Sequence, residues 1–125
     1  MCINSLVPEG KKILIANNGA YSSRAVEICK YYGIDHIDLK QDILHPVCVE
    51  EVEKALDADS DIAVVYTTHN ETGTGVLNPI REIGATSSKA CRRVSGTSTA
   101  RRVLRSTCTH SVAATQQILE PFFIT

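Results

Sequence analysis

The sequence predicts an α/β fold built on a parallel sheet, and three observations carry that expectation. Two short apolar runs, 12–17 and 61–68, are nearly continuous in apolar residues, as parallel strands covered on both faces tend to be. Each is followed by a stretch with apolar residues at helical spacing or with a helix-start signal. Gly, Pro and Asn punctuate the joins. Strand, helix, strand, helix, strand, helix is the order that crossover connections impose on a parallel sheet.

The first strand is Lys12 to Asn17, bounded by Lys11 before and by Asn18-Gly19 after. From Ser22 to Tyr32 the positions Ala25, Val26, Ile28, Cys29 and Tyr32 repeat at helical spacing. Ser22 or Ser23 is placed to cap that helix and Gly33 to end it. Ile34 to Leu39 alternates apolar and polar residues and predicts a second strand. Pro46 opens a second helix, with Val49, Val52, Ala55 and Leu56 on one stripe. Its acidic residues lie in the first turns, where the helix dipole favours them. Asp61 to Thr68 is the third strand, His69 to Asn78 a polar loop, and Pro79 to Ile83 starts a third helix with Asn78 as its cap.

Past Gly84 the pattern stops, which divides the chain into residues 1–84 and 85–125. The first part holds thirteen Asp/Glu against seven Lys/Arg, a balance of −6. The second holds six Lys/Arg against Glu120 alone, a balance of +5, and thirteen Ser/Thr in 41 positions. Only Val112 to Leu119 resembles a helix there, and Pro121 follows it. The composition predicts an irregular or disordered basic tail of low complexity.

At 125 residues the chain has room for one ordinary domain, and 43% hydrophobic and 22% charged residues fit a globular protein. No apolar run approaches the roughly 20 residues that span a bilayer. The N-terminus lacks the charged start and long apolar core of a signal peptide, so a cytoplasmic placement with no membrane partner is the expectation. Cys2, Cys29, Cys48, Cys91 and Cys108 are odd in number and contain no Cys-x-x-Cys pair, which argues against a disulfide framework or a zinc site. Cys29 and Cys48 read as small core residues.

The chemistry sits in two segments after strands, where open α/β sheets bind ligands. Asn18-Gly19-Ala20-Tyr21-Ser22-Ser23-Arg24 follows the first strand, and Tyr21 is placed to cover a flat ligand or to pack under its own loop. Glu71-Thr72-Gly73-Thr74-Gly75-Val76-Leu77-Asn78-Pro79-Ile80 follows the third. Together these segments resemble the class V, fold-type I aminotransferases that use pyridoxal 5'-phosphate (PLP). The first matches that family's Asn-Gly-Ala-Tyr-Gly-x-Arg, with Ser22 in place of a glycine. The second matches Glu-Thr-Thr-Thr-Gly-x-Leu-Asn-Pro-Ile, with Gly73 in place of a threonine. The likeness runs from about Lys11 to Gly84.

That resemblance implies a fragment of the parallel-sheet large domain of a fold-type I PLP enzyme. It implies that Tyr21 stacks on the cofactor's pyridine ring and that Thr72 hydrogen-bonds near its ring oxygen. Thr74 and Gly75 then shape the turn, while Glu71 positions backbone or water, or is simply solvated. His69 is an acid–base candidate that the family chemistry does not use. Within the family the likeness is greatest to enzymes that move an amino group from 2-aminoethylphosphonate to pyruvate, in phosphonate degradation. Alanine–glyoxylate and serine–pyruvate aminotransferases are the alternatives. The implied partners are a small-molecule amino donor and pyruvate, and a second subunit, since the family is dimeric.

A transaminase also needs a lysine bonded to PLP and an acid facing the pyridinium nitrogen. The family carries both on and after the strand that follows the Leu-Asn-Pro-Ile helix. Residues 85–125 contain no Asp, and their one lysine, Lys89, follows Gly84 too closely. The family's phosphate loop lies about thirty residues before the Asn-Gly-Ala-Tyr turn, further than this chain extends. The expectation is therefore a truncated, catalytically silent form, with no catalytic residue assigned. A non-catalytic α/β module that docks on a partner is the competing reading. Nucleic-acid binding through Arg92, Arg93, Arg101, Arg102 and Arg105 is disfavoured, because no aromatic residues interleave with them.

Overall fold

The computed structural model describes residues 3–94 and 102–107, with the side chains of Ile3 and of residues 5–90. In chain order the elements are α1 (Ile3–Leu6), β1 (Lys12–Asn17), α2 (Ala20–Tyr32), β2 (His36–Lys40), α3 (Val49–Ala58), β3 (Ile62–Glu71), β4 (Val76–Leu77), α4 (Ile80–Val94) and β5 (Arg102–Thr107). The strands form one sheet in the order β2-β1-β3-β4, and β5 also pairs with β3. β1 runs parallel to β2 and β3, β5 runs parallel to β3, and β4 pairs antiparallel with β3.

Both faces of the sheet are covered, which is why β1 and β3 read as apolar runs rather than alternating ones. Ile13, Ile15, Val64 and Tyr66 face α2 through Ala25, Val26 and Cys29, with Ile3 of α1 at the margin. Leu14, Ala16, Ile62 and Val65 face Val52 and Leu56 of α3 and Ile83 and Ala90 of α4. Ile62 and Val64 lie two residues apart yet belong to opposite faces. The register skips Ala63, since Lys12 pairs with Ile62 and Ile13 with Val64, and that irregularity reverses the alternation. Val52 and Leu56 are fully buried, and burial of such a side chain stabilises the fold by about 1.5–3 kcal/mol.

Several boundaries differ from the sequence reading for local physical reasons. α2 begins at Ala20, and Ser22 and Ser23 lie inside it rather than capping it. Gly33 ends α2 as expected, in the left-handed conformation (φ 65°) with its N–H on the Cys29 and Lys30 carbonyls. α3 starts at Val49, behind Cys48 rather than at Pro46, and Glu50 and Glu51 fill its first turn. Cys29 is fully buried, but Cys48 is only half-buried and its Sγ donates to Glu50 Oε2 at 3.0 Å.

β3 continues through His69 and Asn70 to Glu71, then folds back as β4, so the expected polar loop is mostly a hairpin. The Glu71 carbonyl closes its turn by accepting from Gly75 N (2.7 Å) and Thr74 N (3.2 Å). Gly75 at φ 74° supplies the left-handed residue that the turn needs.

α4 passes through Gly84, where the composition changes, and continues to Val94. Up to Ala90 its buried positions are Ile80, Ile83, Thr86, Ser87 and Ala90, a helical stripe in which two of the five are small polar residues. Ser87 Oγ donates to the Ile83 carbonyl at 2.8 Å, which lets a serine sit in the packed face. A search for apolar period alone passes over such a stripe. The Val112–Leu119 helix lies outside the described residues, as does most of the tail.

Candidate cofactor site

The strand order decides where a ligand fits. The chain leaves β1 by α2 towards β2 on one side, and leaves β3 by α4 towards β5 on the other. α2 and α4 also lie on opposite faces of the sheet. β1 and β3 are therefore neighbours whose onward connections run to opposite sides of the sheet. That is the switch point, outside which open α/β sheets form their ligand crevice.

The segments flanking it are the two singled out from the sequence, 18–24 and 71–78. A reciprocal amide pair joins them. Asn18 Nδ2 donates to Asn78 Oδ1 at 2.8 Å, and Asn78 Nδ2 donates back to Asn18 Oδ1 at 3.1 Å. Each remaining amide proton is used as well: Asn18 donates to the His45 carbonyl (3.2 Å) and Asn78 to the Thr68 carbonyl (2.7 Å). Asn78 Oδ1 also accepts from Val47 N at 2.9 Å. Both asparagines are buried, so a fully satisfied network is what the site requires. Asn78 thus ties three chain segments together with its side chain and does not cap α4.

Ser22 is fully buried and also closes the first turn. Its Oγ accepts from Asn18 N (3.2 Å) and donates to the Gly19 carbonyl (3.2 Å). A serine where the family has glycine is accommodated by those two bonds.

Tyr21 and Thr72 both lie half-buried on this carboxyl rim, Tyr21 in the first turn of α2 and Thr72 just past β3. The segments that carry them touch, because a Cβ built on Gly19 would overlap the Glu71 carboxylate. Glu71 is 1% exposed, and its Oε2 has no hydrogen-bond partner among the described residues. His69 is half-buried within β3, and its carbonyl accepts from Asn78 N at 2.8 Å. Arg24 is exposed and lies with Glu27, Ile28, Tyr31 and Tyr32 along a shallow groove of α2. The side chains of the tail arginines lie outside the described residues.

The rim carries residue types that suit a flat ring such as that of PLP. It offers an aromatic face, a hydroxyl donor and a glycine that lets two loops approach closely. Lys11 and Lys12 are at the other end of the strands, paired with Asp61 (2.9 Å) and Asp59 (2.7 Å). Among the described residues no group of His, Cys, Asp and Glu could hold a metal ion.

A largely parallel α/β sheet of this strand order is found in the large domain of PLP-dependent aminotransferases. The Aminotransferase class-V family matches residues 1–102, and the chain belongs to that family. A 2-aminoethylphosphonate–pyruvate transaminase of Cupriavidus pinatubonensis is 42% identical over 83 residues, covering 66% of this chain and 22% of the relative. The Bacillus cereus enzyme of the same name is 37% identical over 81 residues, covering 65% and 24%. The chain thus spans about a fifth to a quarter of the length of these curated relatives.

Solved structures show the same fold. The pyridoxamine–pyruvate aminotransferase of Mesorhizobium loti superposes with a TM-score of 0.67 at 22% identity, over 81% of this chain and 24% of that one. The alanine–glyoxylate aminotransferase of a Nostoc species gives 0.65 at 25% identity, over 82% and 25%. Among the described residues no helix is long and apolar enough to cross a membrane.

Proposed function

We propose that this chain carries the ring-contacting half of the PLP site of a transaminase that passes an amino group from 2-aminoethylphosphonate to pyruvate. The observation that carries this reading is the joining of the two motif loops, 18–24 and 71–78, across the switch point. Relatives named for that reaction, at 42% and 37% identity, support the choice of substrates.

In this reading the Tyr21 ring lies against the cofactor, and stacking contributes about 0.5–1.5 kcal/mol beyond burial. The Thr72 hydroxyl donates to an oxygen on the ring and fixes its rotation. PLP, when bound, draws electrons from the amine-bearing carbon of the substrate, which allows the amino group to move. The chain's own contribution is to hold the ring flat and oriented. Lys11 and Lys12 are paired at the opposite end of the strands. Lys89, the one lysine of residues 85–125, lies within α4 rather than in a loop at the rim. With no lysine assigned to bond the cofactor, we read the chain as catalytically silent by itself.

Titrating the full chain with PLP and following cofactor absorbance tests the reading. Saturable binding is expected, weakened about three- to tenfold in Tyr21→Ala. Binding that is absent, or indifferent to Tyr21, would overturn it. Borohydride reduction of the PLP-loaded chain is expected to leave no pyridoxyl adduct on a single lysine, and such an adduct contradicts the silent reading.

A second reading, a non-catalytic module that docks on a partner subunit, is favoured by one observation: Tyr31, Tyr32, Ile43 and Leu44 are large apolar residues more than half exposed. Co-purification with a full-length homologue, lost in Tyr31→Glu, would distinguish it.

A further inference from the structure

We infer that Gly19 and Glu71 interlock, and that this contact sets the gap between the Tyr21 ring and the Thr72 hydroxyl; the inference rests on the PLP reading above. A methyl group on Gly19 would overlap the Glu71 carboxylate and also its Cγ. Rotation of the carboxylate alone therefore does not clear the space; the whole side chain has to swing. Glu71 has little room to do so, being 1% exposed.

Both sides of the contact are anchored. Gly19 is held by its carbonyl, which accepts from Ser22 Oγ (3.2 Å) and Ser23 N (3.0 Å). Its neighbour Asn18 is fixed by the amide pair with Asn78. Glu71 ends β3, pairs with Val76, and has its carbonyl engaged by the hairpin turn. Displacement at the contact thus passes to Tyr21, two residues after Gly19, and to Thr72, the next residue after Glu71.

The electrostatics favour the same arrangement. α2 has no acidic residue in its first turn and no side-chain cap at Gly19. The Glu71 carboxylate, with Oε2 buried and unpartnered, is seated against that helix N-terminus. The positive end of the helix dipole offsets part of the cost of burying it. Glu71 serves from another loop as the anion that the first turn lacks, and Gly19 makes the room. Both are positioning residues.

The test is a double-mutant cycle on the full chain, read by the PLP dissociation constant and by the induced circular dichroism of bound PLP. Gly19→Ala is expected to weaken PLP about tenfold and to reduce the dichroic band at saturation, because the ring is no longer held in one orientation. Glu71→Ala removes the obstacle, so Gly19→Ala/Glu71→Ala should bind no worse than Glu71→Ala alone. If Gly19→Ala does not fold, recovery of folding in the double variant supports the same contact, and continued failure to fold overturns it. Additive losses, with Tyr21→Ala still weakening the wild type, overturn the interlock and leave the PLP reading standing. Absence of PLP binding by the wild type overturns both.

Discussion

Asn78→Ala removes the residue on which the rim depends most. The substitution deletes four hydrogen bonds: two with Asn18, one to the Thr68 carbonyl and one from Val47 N. It leaves Asn18 Oδ1 and the Val47 amide without partners in a buried site. An orphaned buried group costs about 1–3 kcal/mol, so the loss should be about 3 kcal/mol. With a urea slope of about 1.5 kcal/mol/M, the unfolding midpoint falls by about 2 M. That is a large share of the stability of a domain this size, at about 0.05–0.15 kcal/mol per residue. The assay is equilibrium urea unfolding of the full chain by far-UV circular dichroism, with the slope unchanged. Asn18→Ala/Asn78→Ala should cost little more than Asn78→Ala alone, since the two residues share their bonds. A midpoint shift under about 0.5 M, or strict additivity of the two single variants, would refute the reasoning.

Three further outcomes are expected. Gly33→Ala forces a side chain into the left-handed cap of α2 and should cost about 1 kcal/mol in the same urea assay. Lys12 is held above its ordinary value of 10.5 by a hydrogen bond from its ammonium to Asp59 and by that carboxylate's charge. A raised folded value means that the pair's stabilisation is complete below the ordinary lysine value and disappears as pH rises through the folded one. Wild type should therefore lose thermal stability faster than Lys12→Met above pH 10.5, and parallel curves would contradict the pair's role. Burial raises the Cys29 thiol above its usual range, while Cys48 is half-buried. An aromatic disulfide reagent should modify Cys48 about tenfold faster than Cys29, checked by mass mapping.

The order and type of most elements follow from the sequence because they are local properties. Apolar runs at 12–17 and 61–68, the helical stripe Val52 and Leu56, and the glycine ending α2 each report a burial or a backbone angle within a few residues. That Tyr21 and Thr72 stand past the ends of β1 and β3 is legible in the same way, while the cofactor roles proposed for them rest on the resemblance of the two motifs. α4 was half-legible: its apolar start was clear, but Thr86 and Ser87 occupy buried positions that no apolar count records. The sequence also marked residues 69–78 as polar without showing that they fold back as a hairpin, because polar residues at a strand end satisfy either structure.

What tertiary structure alone decided is which distant residues meet. Asn18 and Asn78 are 60 positions apart, and each looks locally like a turn or cap residue. Only the crossovers that place β1 beside β3, with α2 and α4 on opposite faces, turn them into a clasp. The same adjacency sets Glu71 against Gly19, a contact that neither segment's composition signals. Periodicity encodes which side of an element faces the core; the partner it meets depends on strand order, which long-range packing determines.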